Sequence, residues 1–198
     1  MNPNLTELVA ILDRSGSMEA IRDDAIGGFN AFLAEQKALP GEARLTLVLF
    51  DDQYEVAVDH ARLQSVEPLT SRTFVPRGST ALLDAMGRTI DEVGQRLAKT
   101  PEAERPAKVI VVTITDGHEN ASTSYTQRQV FDRVARQRDT YGWEFRFIGA
   151  NQDAIATAAQ LSIDAAHAIG FCADSAGTST VFGLISETET RTRRPRRR

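Results

Sequence analysis

The feature that most constrains the fold is a run of seven residues, 109–115, that is apolar or β-branched at every position and reads V-I-V-V-T-I-T. A strand that is apolar on both faces belongs in the middle of a parallel sheet covered by helices on both sides. The run stops at Asp116-Gly117. The sequence therefore predicts a buried central strand with an acid at its carboxyl end.

Shorter patterns predict the other elements. Further apolar runs predict strands at 8–12, 45–50 and 143–148, and alternation predicts a half-exposed antiparallel strand at 54–58 after a turn at 51–53. A last short strand is expected at 166–169. Apolar residues at helical spacing predict helices over 20–39, 81–97, 127–141, 153–160 and 174–190, whereas 62–74 is expected to be mostly loop.

The order of these elements predicts an α/β fold. Strands alternate with helices and one hairpin lies at the edge, which is typical of a doubly wound, mostly parallel sheet with one antiparallel edge strand and helices on both faces. With 198 residues, the chain has the length of one domain. We expect that domain to occupy residues 1–190 and to be followed by an arginine-rich, disordered tail at 191–198.

A hydroxyl-rich motif follows the first predicted strand. Asp13, Ser15 and Ser17 stand at alternate positions with Gly16 between the serines. This spacing predicts a tight loop that points three oxygen-bearing side chains into one small space. Such oxygens suit a hard cation such as Mg²⁺. The alternative is that the same residues cap a helix, whose first N–H groups need acceptors.

Two other segments bring oxygens to the same edge of the predicted sheet. Right-handed crossovers place the carboxyl ends of the parallel strands on one edge, where ligands bind near the point at which strand order reverses. Asp13 and Asp116 each end a strand there, and Thr80 ends a loop of small residues that leads into a helix. If the two strands are neighbours, one cation can be shared by five residues: Asp13, Ser15, Ser17, Thr80 and Asp116. We therefore favour a metal site over a helix cap.

This constellation resembles the metal-ion-dependent adhesion site (MIDAS) of the von Willebrand factor A domain family, and the resemblance extends over about residues 5–185. The family site consists of a D-x-S-x-S loop, a threonine in a second loop and an aspartate in a third. Here Asp13, Ser15 and Ser17 match the first loop, Thr80 the second and Asp116 the third. The chain looks most similar to small, stand-alone bacterial members.

The resemblance implies metal-dependent binding of a protein partner. Ser15, Ser17 and Thr80 would coordinate Mg²⁺, Mn²⁺ or Ca²⁺, with the engagement of Thr80 depending on the bound state. Asp13 and Asp116 would compensate charge and position water. Neutral hydroxyls cancel none of the cation's charge, so the metal stays electrophilic. We therefore expect it to attract an Asp or Glu side chain of the partner.

Catalysis is the first alternative. An acid after the first strand also begins Mg²⁺-dependent phosphotransferases of the haloacid-dehalogenase type, which use D-x-D. Here Ser15 replaces the second acid, so the group that would act as acid and base is missing. The sequence also lacks G-x-x-x-x-G-K-[ST] and G-x-G-x-x-G phosphate loops and a nucleophile-triad signature. We expect no enzymatic activity.

Nucleic-acid binding is the second alternative and rests on the tail. The last eight residues contain six arginines, without which the formal net charge of −4 would be −10. A basic tail can bind nucleic acid, but no aromatic residues are interleaved for stacking on bases. We favour a solvated end and expect no nucleic-acid partner.

The composition indicates the cellular location and disfavours some kinds of site. The single cysteine, Cys172, excludes an internal disulfide, and three scattered histidines disfavour a zinc site. No signal peptide and no apolar run long enough to cross a membrane is apparent. We expect a cytoplasmic protein without membrane contact.

Other polar residues at the predicted edge have less specific interpretations. His118 and Glu119 follow Asp116, and we expect them either to line the rim and tune ligand choice or to form an exposed loop. Turn or capping roles are expected for Asp51, Asp52, Asn151 and Asp153.

Overall fold

A computed structural model describes residues 1–150, 154–172 and 174. Within them the strands are β1 (Asn2–Asp13), β2 (Glu42–Phe50), β3 (Tyr54–Arg62), β4 (Pro106–Thr115), β5 (Glu144–Ala150) and β6 (Ala168–Phe171). The α-helices are α1 (Arg22–Ala38), α2 (Leu82–Lys99), α3 (Gln127–Tyr141) and α4 (Ala154–Gln160). Short 3₁₀ turns cover Gly16–Ile21, Leu63–Ser65, Glu102–Glu104 and Ala165–His167.

The strands form one sheet in the order β3-β2-β1-β4-β5-β6. Only the edge pair of β2 and β3 is antiparallel within the described residues, and the other pairs are parallel. The chain extends the sheet from β1 to one side through β2 and β3, and then to the other side through β4, β5 and β6. Strand order therefore reverses between β1 and β4. The predicted fold class is confirmed, including the antiparallel edge strand.

The core consists of two apolar layers, one on each face of the sheet. In β1, Leu8, Ala10 and Leu12 point into the layer that holds α1, whereas Val9 and Ile11 point into the layer that holds α2, α3 and α4. This alternation follows from the two-residue period of a strand. All five side chains are buried. Helices thus cover both faces, as predicted.

The boundaries of several elements differ from the prediction. β1 begins at Asn2 rather than at residue 8, because its polar start pairs with both neighbouring strands, for example Asn2 with Pro106. The helix expected from residue 20 begins at Arg22, after the 3₁₀ turn over Gly16–Ile21. The last strand is shifted by two residues, because Ala165–His167 forms another 3₁₀ turn.

The buried side chain of Glu7 links several elements near the end of the sheet at which β1 begins. The Glu7 carboxylate is completely buried and accepts hydrogen bonds from Arg96 of α2 (2.7 Å) and Thr46 of β2 (3.1 Å). Its second oxygen lies 2.7 Å from the ring nitrogen Nδ1 of His60. His60 has a φ of 47° at an irregularity in the β2–β3 pairing. The network therefore joins the edge hairpin and α2 to a central strand.

Several expectations concern residues that the structure does not describe. The helix predicted over 174–190 and the arginine tail at 191–198 lie outside the described residues, apart from residue 174 itself, and so do Asn151 and Asp153. Among the described helices, none is both long enough and apolar enough to span a lipid bilayer.

Candidate metal site

The first loop begins at Asp13, the last residue of β1, whose side chain is 0% exposed. Its Oδ1 accepts a hydrogen bond from the backbone N–H of Ser15 (2.6 Å), and its Oδ2 accepts one from the hydroxyl of Thr115 at the end of β4 (2.5 Å). Burial raises the pKa of Asp13 to about 6, although these hydrogen bonds oppose the rise. Both carboxyl oxygens are engaged by neighbours, which suits Asp13 to a charge-compensating and orienting role.

The two serines of the motif stand side by side. Ser15 Oγ and Ser17 Oγ are 3.2 Å apart. Ser15 precedes the 3₁₀ turn over Gly16–Ile21, but its side chain makes no capping hydrogen bond, and α1 also begins without a side-chain cap. The helix-cap alternative is therefore wrong for this loop. Ser15 is buried, whereas Ser17 is exposed at the surface.

The third loop meets the first directly. The Ser17 hydroxyl donates a hydrogen bond to Asp116 Oδ1 at 2.6 Å, across 99 positions in sequence. β1 and β4 are neighbours, with Leu12 paired to Ile114, so Asp13 and Asp116 extend from the point where strand order reverses. Burial raises the pKa of Asp116, and the bond from Ser17 opposes part of this rise. Two carboxyl groups whose ionised forms are disfavoured thus lie next to the serine pair.

Gly117 shows how near Thr80 of the second loop comes to the other two loops. A β-carbon built on Gly117 would lie 2.9 Å from Thr80 Oγ1 and 3.5 Å from Ser17 Oγ. Both hydroxyls therefore border the same small space beside Gly117. Glycine leaves this space free because it has no side chain. Thr80 is only 3% exposed, so its hydroxyl is enclosed by these loops. The structure thus brings side chains from all three predicted loops together.

Asp51 holds the first and second loops against each other. This buried carboxylate accepts hydrogen bonds from Arg14 Nε (3.0 Å) and Arg77 Nε (2.8 Å). Burial acts to raise its pKa, but the Arg77 bond, the Gln53 N–H and the two arginine charges outweigh it and hold the pKa below its ordinary value. The local sequence pattern predicts only a turn role for Asp51, so this role was not predicted. A signal was present in the sequence, because each of the two motif loops contains an arginine, Arg14 or Arg77, that needs an acidic partner.

Backbone contacts complete this connection. Gly16 N–H donates to Gly78 O (3.1 Å), and Arg77 N–H donates to Arg14 O (2.8 Å). Gly78 has a φ of +66°, and a β-carbon there would lie 2.3 Å from Asp52 Oδ1. The positive φ therefore favours glycine at position 78, and a β-carbon there would also displace the exposed Asp52 carboxylate.

The rim residue Glu119 has a different role from the expected one. Its carboxylate accepts hydrogen bonds from the backbone of Leu83 in α2 (2.9 Å) and from Ala121 (3.0 Å) and Ser122 (2.7 Å) in its own loop. It is therefore occupied in fixing the loop rather than facing a ligand. His118 is exposed, which fits both expected interpretations, a position at the rim and an exposed loop.

The chemistry of the converging groups fits a hard divalent cation. Every side-chain atom that meets here is an oxygen, from three hydroxyls and two carboxyl groups. In the described part of the chain, no cluster of three or more His, Cys, Asp and Glu could hold a metal ion. Hydroxyl oxygens must therefore supply most of a ligand set. The two carboxyl groups with raised pKa values would be stabilised as anions by a nearby cation.

The fold of this chain can be compared with the folds of known proteins. No protein-family model and no curated protein matches the sequence, but solved structures match its fold. The described residues have the von Willebrand factor A fold.

Three solved structures illustrate the likeness. The vWF domain of the type V pili tip protein Mfa5 from Porphyromonas gingivalis is 13% identical, with a TM-score of 0.64 over 100% of this chain and 99% of that one. A von Willebrand factor type A protein from Catenulispora acidiphila is 18% identical, with a TM-score of 0.57 over 96% of this chain and 43% of that one. Proximal thread matrix protein 1 from the mussel byssus, with a zinc-occupied MIDAS motif, is 15% identical, with a TM-score of 0.62 over 95% of this chain. The present chain spans 46% of that protein's length.

Proposed function

We propose that this protein is a divalent-metal-dependent protein-binding module. In this proposal, Mg²⁺, Mn²⁺ or Ca²⁺ is held by Asp13, Ser15, Ser17, Thr80 and Asp116, and an Asp or Glu side chain of a partner completes the coordination. The observation that carries the proposal is the direct bond between Ser17 and Asp116 beside the enclosed Thr80 hydroxyl. It joins loops that lie far apart in sequence at the point where α/β sheets bind ligands.

Each residue has a role that follows from its surroundings. Ser15, Ser17 and Thr80 supply neutral oxygens, and a cation bound mainly by neutral oxygens retains affinity for an external anion. Asp13 is locked by Ser15 and Thr115, so it supplies charge and orients the first loop. Asp116 orients Ser17 through its hydrogen bond. The bound cation would supply a Lewis-acidic position open to the partner's carboxylate.

The zinc-occupied MIDAS motif of proximal thread matrix protein 1 supports the metal part of the proposal, since that protein has the same fold. The preference for magnesium, the partner and the resemblance to small, stand-alone bacterial members remain parts of the proposal. We also infer a reducing, cytoplasmic setting, because the sequence contains a single cysteine. Fractionation of native cells tests this location.

Calorimetric titration of the metal-free protein with Mg²⁺, Mn²⁺ and Ca²⁺ tests the site. We expect saturable binding of one ion, which Asp13→Ala abolishes. Absence of binding at millimolar metal would refute the proposal. Affinity capture from the native cell in Mg²⁺, followed by elution with a chelator, tests partner binding. The same capture with Asp13→Ala is the control.

We propose that the site binds rather than catalyses, since Ser15 occupies the position of the second acid of D-x-D enzymes. Hydrolysis of generic phosphoesters in Mg²⁺ by the wild type, but not by Asp13→Ala, would contradict this. Nucleic-acid binding through the tail predicts retention that falls steeply with salt and is lost when 191–198 are deleted. Metal-dependent capture predicts retention that is lost in chelator and survives that deletion.

A further inference from the structure

The loop that follows Asp116, residues 117–126, forms the cap of α2. The helix begins after Ala81, which provides no side-chain cap. Instead, Leu83 N–H donates to Glu119 Oε2 (2.9 Å) and Asp84 N–H donates to Ser122 Oγ (3.0 Å). Two of the free N–H groups of the first turn, those of Leu83 and Asp84, are therefore satisfied by the loop that carries Asp116.

Helix α2 binds the same loop in return. The Asp84 carboxylate accepts hydrogen bonds from the backbone N–H groups of Thr123 (2.9 Å), Ser124 (2.9 Å) and Tyr125 (2.7 Å). Reciprocal bonds of this kind leave the start of α2 and the loop few independent movements. Thr80, two residues before the helix, lies next to this connection.

Asn120 contacts Thr80 itself through two hydrogen bonds. Thr80 N–H donates to Asn120 Oδ1 (2.9 Å), and Asn120 N–H donates to Thr80 O (3.0 Å). Both polar groups of the Thr80 backbone are thus held by one residue of the third loop. Threonine is β-branched and has few rotamers. A fixed backbone therefore leaves Oγ1 only a few possible directions, and in the structure it lies toward Gly117 and Ser17.

We propose that Asn120 is a positioning residue for the metal site, an inference that rests on the proposed function. Its side-chain carbonyl holds the Thr80 backbone so that Thr80 Oγ1 stays beside Ser17. Because Asn120 lies four residues after Asp116, the second and third loops respond to a bound ion as one unit. Asn120 itself is exposed and lies outside the ligand set that the resemblance implies.

Ser122 provides a matched control that tests whether Asn120 merely stabilises its loop. Its hydroxyl accepts from Asp84 N–H and donates to Glu119, so it caps α2 from the same loop without contacting Thr80. Ser122→Ala and Asn120→Ala each remove one side-chain acceptor of a backbone N–H. Only Asn120→Ala releases Thr80.

Calorimetric titration with Mn²⁺ compares the wild type, Asn120→Ala, Ser122→Ala, Thr80→Ala and the double variant Asn120→Ala/Thr80→Ala. Residues that orient metal ligands typically contribute about ten- to a hundredfold to affinity. We expect a loss in this range for Asn120→Ala and a change below about twofold for Ser122→Ala. In the Thr80→Ala background, Asn120→Ala should cause almost no further loss, because the hydroxyl that it positions is absent.

Amide hydrogen exchange of the metal-free protein gives an independent readout. Asn120→Ala should accelerate exchange at Thr80 and leave it unchanged at Leu83, whose acceptor is Glu119. If Asn120→Ala does not fold, Asn120→Ser replaces it, because serine also removes the side-chain acceptor of Thr80 N–H but keeps a polar side chain at this exposed position.

Three outcomes would overturn the inference: unchanged metal affinity in Asn120→Ala, an equal loss in Ser122→Ala, or full additivity with Thr80→Ala. Wild-type protein that binds no metal would instead refute the proposed function. In that case, exchange at Thr80 still decides whether Asn120 holds its backbone.

Discussion

Asp13→Asn tests whether the buried acid of the first loop destabilises the protein until a cation compensates its charge. Burial raises the pKa of Asp13 from 3.8 to about 6. Each pKa unit corresponds to about 1.4 kcal/mol, so ionising this group costs the metal-free fold about 3 kcal/mol. The folded state binds the proton more tightly than the unfolded chain does. Stability is therefore lost as pH rises from about 4 to about 6 and stays low above that range.

The variant removes this cost without disturbing the hydrogen bonds. An asparagine oxygen can still accept from Ser15 N–H, and its amide can donate to Thr115 Oγ1, which can then donate to Gly117 O. We expect Asp13→Asn to raise the free energy of unfolding of the metal-free protein by up to about 3 kcal/mol at about pH 8. Near pH 4 the two proteins should differ little, because Asp13 is then protonated in the fold.

Saturating metal should reverse the order. A ligand at a thousand times its dissociation constant stabilises the fold by about 4.1 kcal/mol, which exceeds the cost of about 3 kcal/mol, and this gain belongs to the wild type alone if Asp13 is needed for binding. Urea unfolding at about pH 4 and about pH 8, each with EDTA and with excess Mg²⁺, measures the difference in unfolding free energy between the two proteins under all four conditions. Asp23→Asn is the matched control, because it removes the same charge from a side chain that is 83% exposed.

A variant that is less stable than the wild type at about pH 8 in EDTA would refute this reasoning. So would equal stabilisation of both proteins by Mg²⁺.

Three further substitutions separate the site from its support. Gly117→Ala places a methyl group 2.9 Å from Thr80 Oγ1, so the hydroxyl must move, and Mn²⁺ titration should show at least about tenfold weaker binding in a folded protein. Asp51→Asn leaves two arginines without their shared anion, and urea unfolding near neutral pH should show a loss of about 3 kcal/mol or more. Because the pKa of Asp51 is lowered, that difference should shrink as pH falls below its ordinary value of 3.8. Glu7→Gln should cost about 3 kcal/mol with no change in metal affinity, since the Glu7 network lies at the opposite end of the sheet. A changed Mn²⁺ affinity in Glu7→Gln would contradict this separation.

The elements that the sequence predicted well are those whose signal is local. The apolar run at 109–115 predicted the central strand, and the acids at its end and at the end of β1 predicted the edge where the candidate site lies. The period of apolar residues also predicted α3 over Gln127–Tyr141 with its observed bounds. In each case, neighbouring residues in the chain carry the information.

Residues with a long-range role could not be predicted in the same way. Asp51 follows a strand and precedes a short turn, so its local pattern is that of a turn residue, whereas its partners are 37 and 26 positions away. Glu7 is a charged residue in a strand, and nothing near it in sequence indicates an arginine 89 positions further on. Asn120 is likewise one polar residue among many in a loop. Only the fold shows which backbone it holds.

The direction of β1 has a practical consequence for binding assays. Its twelve residues run from Asn2 to Asp13, and an extended strand rises about 3.3 Å per residue, so the two ends lie about 36 Å apart. A biotin or a surface linker attached at Met1 would therefore leave the candidate metal site on the far side of the molecule, facing the bulk solution. Immobilised in that orientation, the protein presents the loops of the candidate metal site, with the exposed Ser17, to any analyte that flows past.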